Sequence, residues 1–101
     1  MVKLAGFAWD GGNRQKCRKH GVSLKEIEEV FDGAPAVFPD PAHSKGERRL
    51  RAIGTTGEGR YVFVAFTLRK DAAGDTRIRP ISARYMHEKE IRHYVRQQEG
   101  S

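Results

Sequence analysis

Arg60-Tyr61-Val62-Phe63-Val64-Ala65-Phe66-Thr67-Leu68-Arg69 runs, through the loop Asp71-Ala72-Ala73-Gly74-Asp75, into Thr76-Arg77-Ile78-Arg79-Pro80-Ile81-Ser82-Ala83-Arg84. Tyr61 to Phe66 is an unbroken apolar, β-prone run, the pattern of a central strand buried on both faces. The glycine-bearing loop suits a hairpin. If the two strands pair symmetrically about that loop, Arg69 falls opposite Arg77 and Thr67 opposite Arg79, and cross-strand partners share a sheet face. Guanidiniums crowded in this way repel one another unless an anion sits among them, and their fork geometry matches phosphate. The alternative is a solvated face on which Arg77 and Arg79 pair with Asp71, Asp75 or glutamates. Pro80 has no N–H for a ladder, so the second strand is either a sheet edge or bulged there.

Working outward, Arg48 to Gly54 reads as a further strand, joined to the first by the loop Thr55-Thr56-Gly57-Glu58-Gly59. Ala36-Val37-Phe38, set among Pro35, Pro39 and Pro41, is a short strand candidate. Ser23 and Glu26 form a capping box, with Val22 and Ile27 at the positions of a hydrophobic staple. Behind them Leu24, Ile27, Val30 and Phe31 recur at helical spacing and define a core-facing stripe. An earlier, nearly all-polar helix starts at the N-cap Asp10 and runs to His20, where Gly21 stops it. Its last turn, with Lys16, Arg18, Lys19 and His20, makes a cationic tip. A closing helix from about Met86 to Gln98 carries Ile91, Tyr94 and Val95 on one side. The expected class is α+β over residues 1–101 as a single domain: two N-terminal helices, an antiparallel meander of about four strands, and a C-terminal helix.

The 101 residues hold 19 Lys and Arg against 13 Asp and Glu, a net charge of +6, and the pI is near 9.8. Such an excess draws polyanions, because each phosphate neutralised releases condensed counterions; nucleic acid is the leading partner class. With a mean hydropathy of −0.69 and no apolar run near the ~20 residues that cross a bilayer, no membrane role is expected. A single cysteine, Cys17, and no apolar leader behind Met1 point to the cytoplasm. No metal or cofactor is expected either. His87 and His93 lack the helical ligand spacing of three or four, Asp40 and His43 do not make a coordination sphere, and neither phosphate-binding glycine motif occurs. Arg84, at a strand end just before the closing helix, is well placed to be held rigidly at a site. Among His20, His43, His87 and His93, His20 is the candidate proton shuttle because it belongs to the cationic tip.

Several segments, in order, resemble the BrnT family, the toxin halves of bacterial type II toxin–antitoxin pairs. They are Phe7-Ala8-Trp9-Asp10, Lys19-His20-Gly21-Val22-Ser23 with Glu26 and Val30-Phe31-Asp32, Phe38-Pro39-Asp40-Pro41 with His43-Ser44 and Gly46-Glu47, Ala52-Ile53-Gly54, Thr67-Leu68-Arg69, and Arg77 through Arg84. The resemblance implies a RelE-like fold and a metal-independent endoribonuclease that arrests growth by cutting RNA. It also implies a BrnA-type ribbon-helix-helix antitoxin as partner, with operator DNA reached only through that antitoxin. By position, Lys19-His20, Arg69 and Arg84 match the family's basic site. The expected catalytic set is therefore His20, Arg69, Arg79 and Arg84, with Lys19, Arg77 and Thr67 binding RNA. A non-catalytic nucleic-acid-binding subunit, acting as co-repressor with an antitoxin, is the alternative.

Overall fold

The computed structural model describes residues 4–100. Its elements, in order, are β1 (Leu4–Phe7), α1 (Gly11–Arg18), α2 (Leu24–Asp32), β2 (Ala36–Pro39), a short 3₁₀ turn (Pro41–His43), β3 (Leu50–Thr55), β4 (Tyr61–Lys70), β5 (Thr76–Tyr85) and α3 (Glu88–Glu99). The sheet has five strands in the order β1-β5-β4-β3-β2. The expected meander of about four strands is β2 to β5; the fifth, β1, is a correction. It joins β5 in parallel with an irregular register, Leu4 to Thr76 and Phe7 to Ile78. Four residues containing Gly6, with no alternation of apolar and polar side chains, gave no strand signal.

The β4–β5 ladder pairs Arg69 with Arg77, Thr67 with Arg79 and Phe66 with Pro80, but Ala65 with Ser82. Ile81 is thus an extra residue, a β-bulge beside the proline. Pro80 is both bulged and at a local edge: β1 ends opposite Ile78, and beyond it α1 takes over the margin of β5, where the Asn13 side-chain amide donates to the Pro80 carbonyl (2.9 Å). The same amide group donates to the Ala8 carbonyl (2.9 Å), while the Asn13 oxygen accepts from the Asp10 backbone (2.7 Å) and Asp10 caps the Asn13 N–H (2.9 Å). One buried side chain thus closes the capping box of α1 and fastens that helix to the sheet.

Helices α1 and α2 cover one face, where Cys17, Val22, Ile27 and Val30 pack on Ala52, Val62, Val64, Phe66, Ile78 and Ala83. Phe31 stands edge-on to Phe66 (5.0 Å) and to Phe7 (5.7 Å), and the Trp9 indole donates to Glu28 (3.1 Å). The close approach of α2 depends on Gly54, whose Cβ would meet Val30 Cγ1 at 3.0 Å and Pro35 Cβ at 3.1 Å. Helix α3 lies on the opposite face and buries none of its residues fully.

Asn13→Ala removes a cap and leaves the Pro80 carbonyl unpaired in a buried setting, so it should destabilise the fold by about 2–4 kcal/mol in urea denaturation. A loss below about 0.5 kcal/mol would mean the amide does not carry this junction.

Candidate functional site

Side chains alternate along a strand, so the ladder decides which residues share the face opposite α1 and α2. Odd positions of β4 lie there: Phe63, Ala65, Thr67 and Arg69. From β5 come their partners Arg84, Ser82, Arg79 and Arg77, and from β3 Ile53 and Arg51. All five arginines of β3–β5 therefore stand on one face. The bulge is essential to this arrangement: Arg79 and Arg84 are an odd number of residues apart, and an unbroken strand would set them on opposite sides. The Arg84 guanidinium lies 4.9 Å from the Phe63 ring centroid, which confirms that they share a face.

Four of the five arginines meet a carboxylate. Arg69 donates through Nε and Nη2 to Glu47 (3.3 and 3.2 Å), Arg77 through Nε to Asp71 (2.8 Å), and Arg79 through Nη2 to Asp10 (2.8 Å). Arg84 makes a bidentate pair with Glu90 on α3 (2.8 Å for both bonds). The backbone N–H of Asn13, with Arg79, holds Asp10 below the ordinary carboxylate range. Glu47 is lowered first by Arg69, then by the Thr67 hydroxyl and the field of Arg79. Asp71 is lowered chiefly by Arg77. Glu90 falls to about 2, chiefly through Arg84 and secondarily through the His87 backbone N–H. Arg69 and Glu47 remain 53% and 42% exposed, so water screens that pair and an incoming anion can compete for the guanidinium. The Thr67 hydroxyl between these arginines is buried and makes no hydrogen bond of good geometry, although it is close enough to influence Glu47. Arg51 makes no ion pair among the described residues, and its buried Nε also lacks a hydrogen-bond partner.

The expected site residues fall into three places. Arg69, Arg77, Arg79 and Thr67 form one open cluster, joined by Glu47 and Asp10, which the sequence reading did not single out as site residues. Glu47 lies in a loop and carries no periodic signal. Asp10 was legible only as a cap. Arg84 stands on the same face but five residues further along β5, beneath α3. Lys19 and His20 lie beyond the far end of α1, roughly 15 Å from Asp10 at 1.5 Å per residue. There the neighbouring Gly21 carbonyl accepts from the Tyr85 hydroxyl (3.4 Å), and the ion pairs of these arginines among the described residues run to Glu47, Asp71, Asp10 and Glu90, away from His20. Burial pushes the Cys17 thiol up to about 11, which makes it a core side chain and a poor nucleophile. Among the described residues no three His, Cys, Asp or Glu side chains gather as metal ligands, and no helix is long and apolar enough to cross a membrane.

The fold and this face define a small α+β protein with an arginine-lined sheet surface. Residues 9–90 match the family model described as the ribonuclease toxin BrnT of type II toxin–antitoxin systems, and the chain belongs to that family. A toxin of this type has a protein antitoxin as its partner. No curated protein matches the chain.

The depressed pKa of Glu90 has a direct consequence. A lowered carboxylate stabilises the fold above its unfolded pKa, and that contribution is lost as pH falls through the folded value. The stability gap between wild type and Glu90→Gln should therefore be fully present above pH 4.5 and shrink towards pH 2. A gap independent of pH in urea titrations would show that the pair with Arg84 does not act through charge.

Proposed function

We propose that the chain is a metal-independent endoribonuclease whose RNA lies along the arginine face, within a single cytoplasmic domain of RelE-like type spanning residues 1–101. The observation that carries this reading is the gathering of Arg51, Arg69, Arg77, Arg79 and Arg84 on one sheet face. The 2′-hydroxyl oxygen attacks the adjacent phosphorus, its proton passing to a base. The P–O5′ bond breaks and the 5′-oxygen takes up a proton, leaving a 2′,3′-cyclic phosphate and a 5′-hydroxyl. Arg69 and Arg79, with Arg84 further along the face, neutralise charge on the pentacoordinate phosphorus. Arg77, Thr67 and Lys19 hold the strand. His20 is assigned proton transfer for RNA that passes from the arginine face around the end of β5 to the α1 tip, where Gly21 meets Tyr85.

Glu47 is the second base to consider, because it already touches Arg69 in the open cluster. The same separation of His20 from Arg69 and Arg79 favours the competing reading, a non-catalytic nucleic-acid-binding subunit or co-repressor. A BrnA-type ribbon-helix-helix antitoxin is the proposed partner under either reading, with operator DNA reached only through it.

Purified protein incubated with RNA in EDTA should generate new 5′-hydroxyl ends; RNA that is bound but left intact would favour the binding-only subunit. Arg69→Ala and Arg79→Ala should each lower the cleavage rate by about 10²–10³-fold, and Arg84→Ala should abolish growth arrest with the fold intact. Full toxicity of the Arg84 variant would remove that residue from the mechanism. His20→Ala and Glu47→Gln distinguish the bases, since the true one should lose about 10²–10⁴-fold.

A further inference from the structure

Between α3 and the arginine face lies a cavity of about 390 Å³, at the lower end of the roughly 300–1,000 Å³ usual for small-molecule sites. Phe38, Phe63 and Tyr94 line it together with Arg51, Arg84 and Glu90. Ile53 and Met86 complete its apolar wall, and the three aromatic rings and two guanidiniums set it apart from a purely aliphatic packing gap. We infer that the cavity is a nucleotide subsite, taking one unstacked base of single-stranded RNA with its phosphate, an inference that rests on the ribonuclease reading above.

Three observations support this assignment. Aromatic faces accept any base by stacking, and the Arg84 guanidinium, already 4.9 Å from the Phe63 centroid, offers a further planar surface. Arg51 has hydrogen-bonding capacity to spare: its Nε is buried without a partner, and Nη2 reaches only the Pro39 carbonyl at 3.3 Å. Counting Arg51, Arg84 and Glu90, the lining carries one net positive charge, which a single phosphodiester balances. The location also fits. Arg51 pairs with Ala65, one pleat repeat from Thr67 and its partner Arg79, or about 7 Å along the strand, on the order of one nucleotide step from the open cluster. The small side chains of Ala65 and Ser82 between them leave a low floor for the sugar–phosphate chain.

The test uses the full chain, isotopically labelled, titrated by NMR with adenosine and uridine 5′-monophosphates and with ribose 5-phosphate. The amides of Arg51, Phe63, Arg84 and Tyr94 should shift, and the nucleotides should bind about tenfold or more tightly than the sugar phosphate, the order expected for one stacked base. Tyr94→Leu and Arg51→Met, each checked for native circular dichroism, should weaken nucleotide binding about tenfold. Equal affinity for ribose 5-phosphate, shifts confined to Arg69, Arg77 and Arg79, or unchanged binding in both variants would overturn the subsite. Cleavage of RNA without nucleotide binding here would remove the subsite and leave the nuclease standing; nucleotide binding without cleavage would do the reverse.

Discussion

The arrangement of charge depends on a single extra residue in β5. Pro80 has no N–H to offer a continuing ladder, and the chain resolves this by bulging at Ile81 while Asn13 takes the proline's carbonyl. Because side chains alternate, that insertion exchanges the faces of everything after it. Ala83 and Tyr85 turn towards the helices, and Ser82 and Arg84 turn towards Arg77 and Arg79. Removing the bulge would drive Arg84 into the core side and bring Ala83 out among the arginines. A local backbone irregularity thus sets the electrostatics of a whole face.

Five like charges on one surface cost free energy, and the fold offsets it with carboxylates drawn from four different segments: Asp10 before α1, Glu47 in a loop, Asp71 in the hairpin and Glu90 on α3. Most of these pairs are open to water, so they orient the guanidiniums without sequestering them. Such pairing keeps long side chains in place before a ligand arrives and lowers the ordering cost of binding. Asp10 serves twice, capping α1 through one oxygen and meeting Arg79 through the other. The helix start and the charged face are thereby coupled.

Much of this was legible in the sequence. The N-cap at Asp10, the capping box at Ser23, the core stripe of α2 and the register of the β4–β5 hairpin follow from local rules, because each is a short-range pattern with a steric or hydrogen-bonding cause. Pro80 announced a bulge or an edge and has both, because β1, whose few residues carry no periodicity and are ordered by β5 rather than by themselves, stops short of it. Asp71 was legible as a partner for the hairpin arginines and meets Arg77, whereas Glu47 and Glu90 were hidden because they reach Arg69 and Arg84 through tertiary packing. His20 looked like a member of the site because it is next to Lys19 in a cationic tip, yet helix α1 is long enough to hold it well away from the open cluster. Sequence proximity to charge is not spatial proximity to a particular charge.

The central claim is that these five arginines act together as a phosphate-binding track. It is tested most directly by the salt dependence of binding to a short single-stranded oligonucleotide whose 2′-hydroxyls are replaced by hydrogen, so that it cannot be cut. A slope of about −3 to −4 in log affinity against log salt, falling by about 0.7 for each of Arg69→Gln and Arg79→Gln, is the expected result. A slope near zero, or one indifferent to both substitutions, would contradict it.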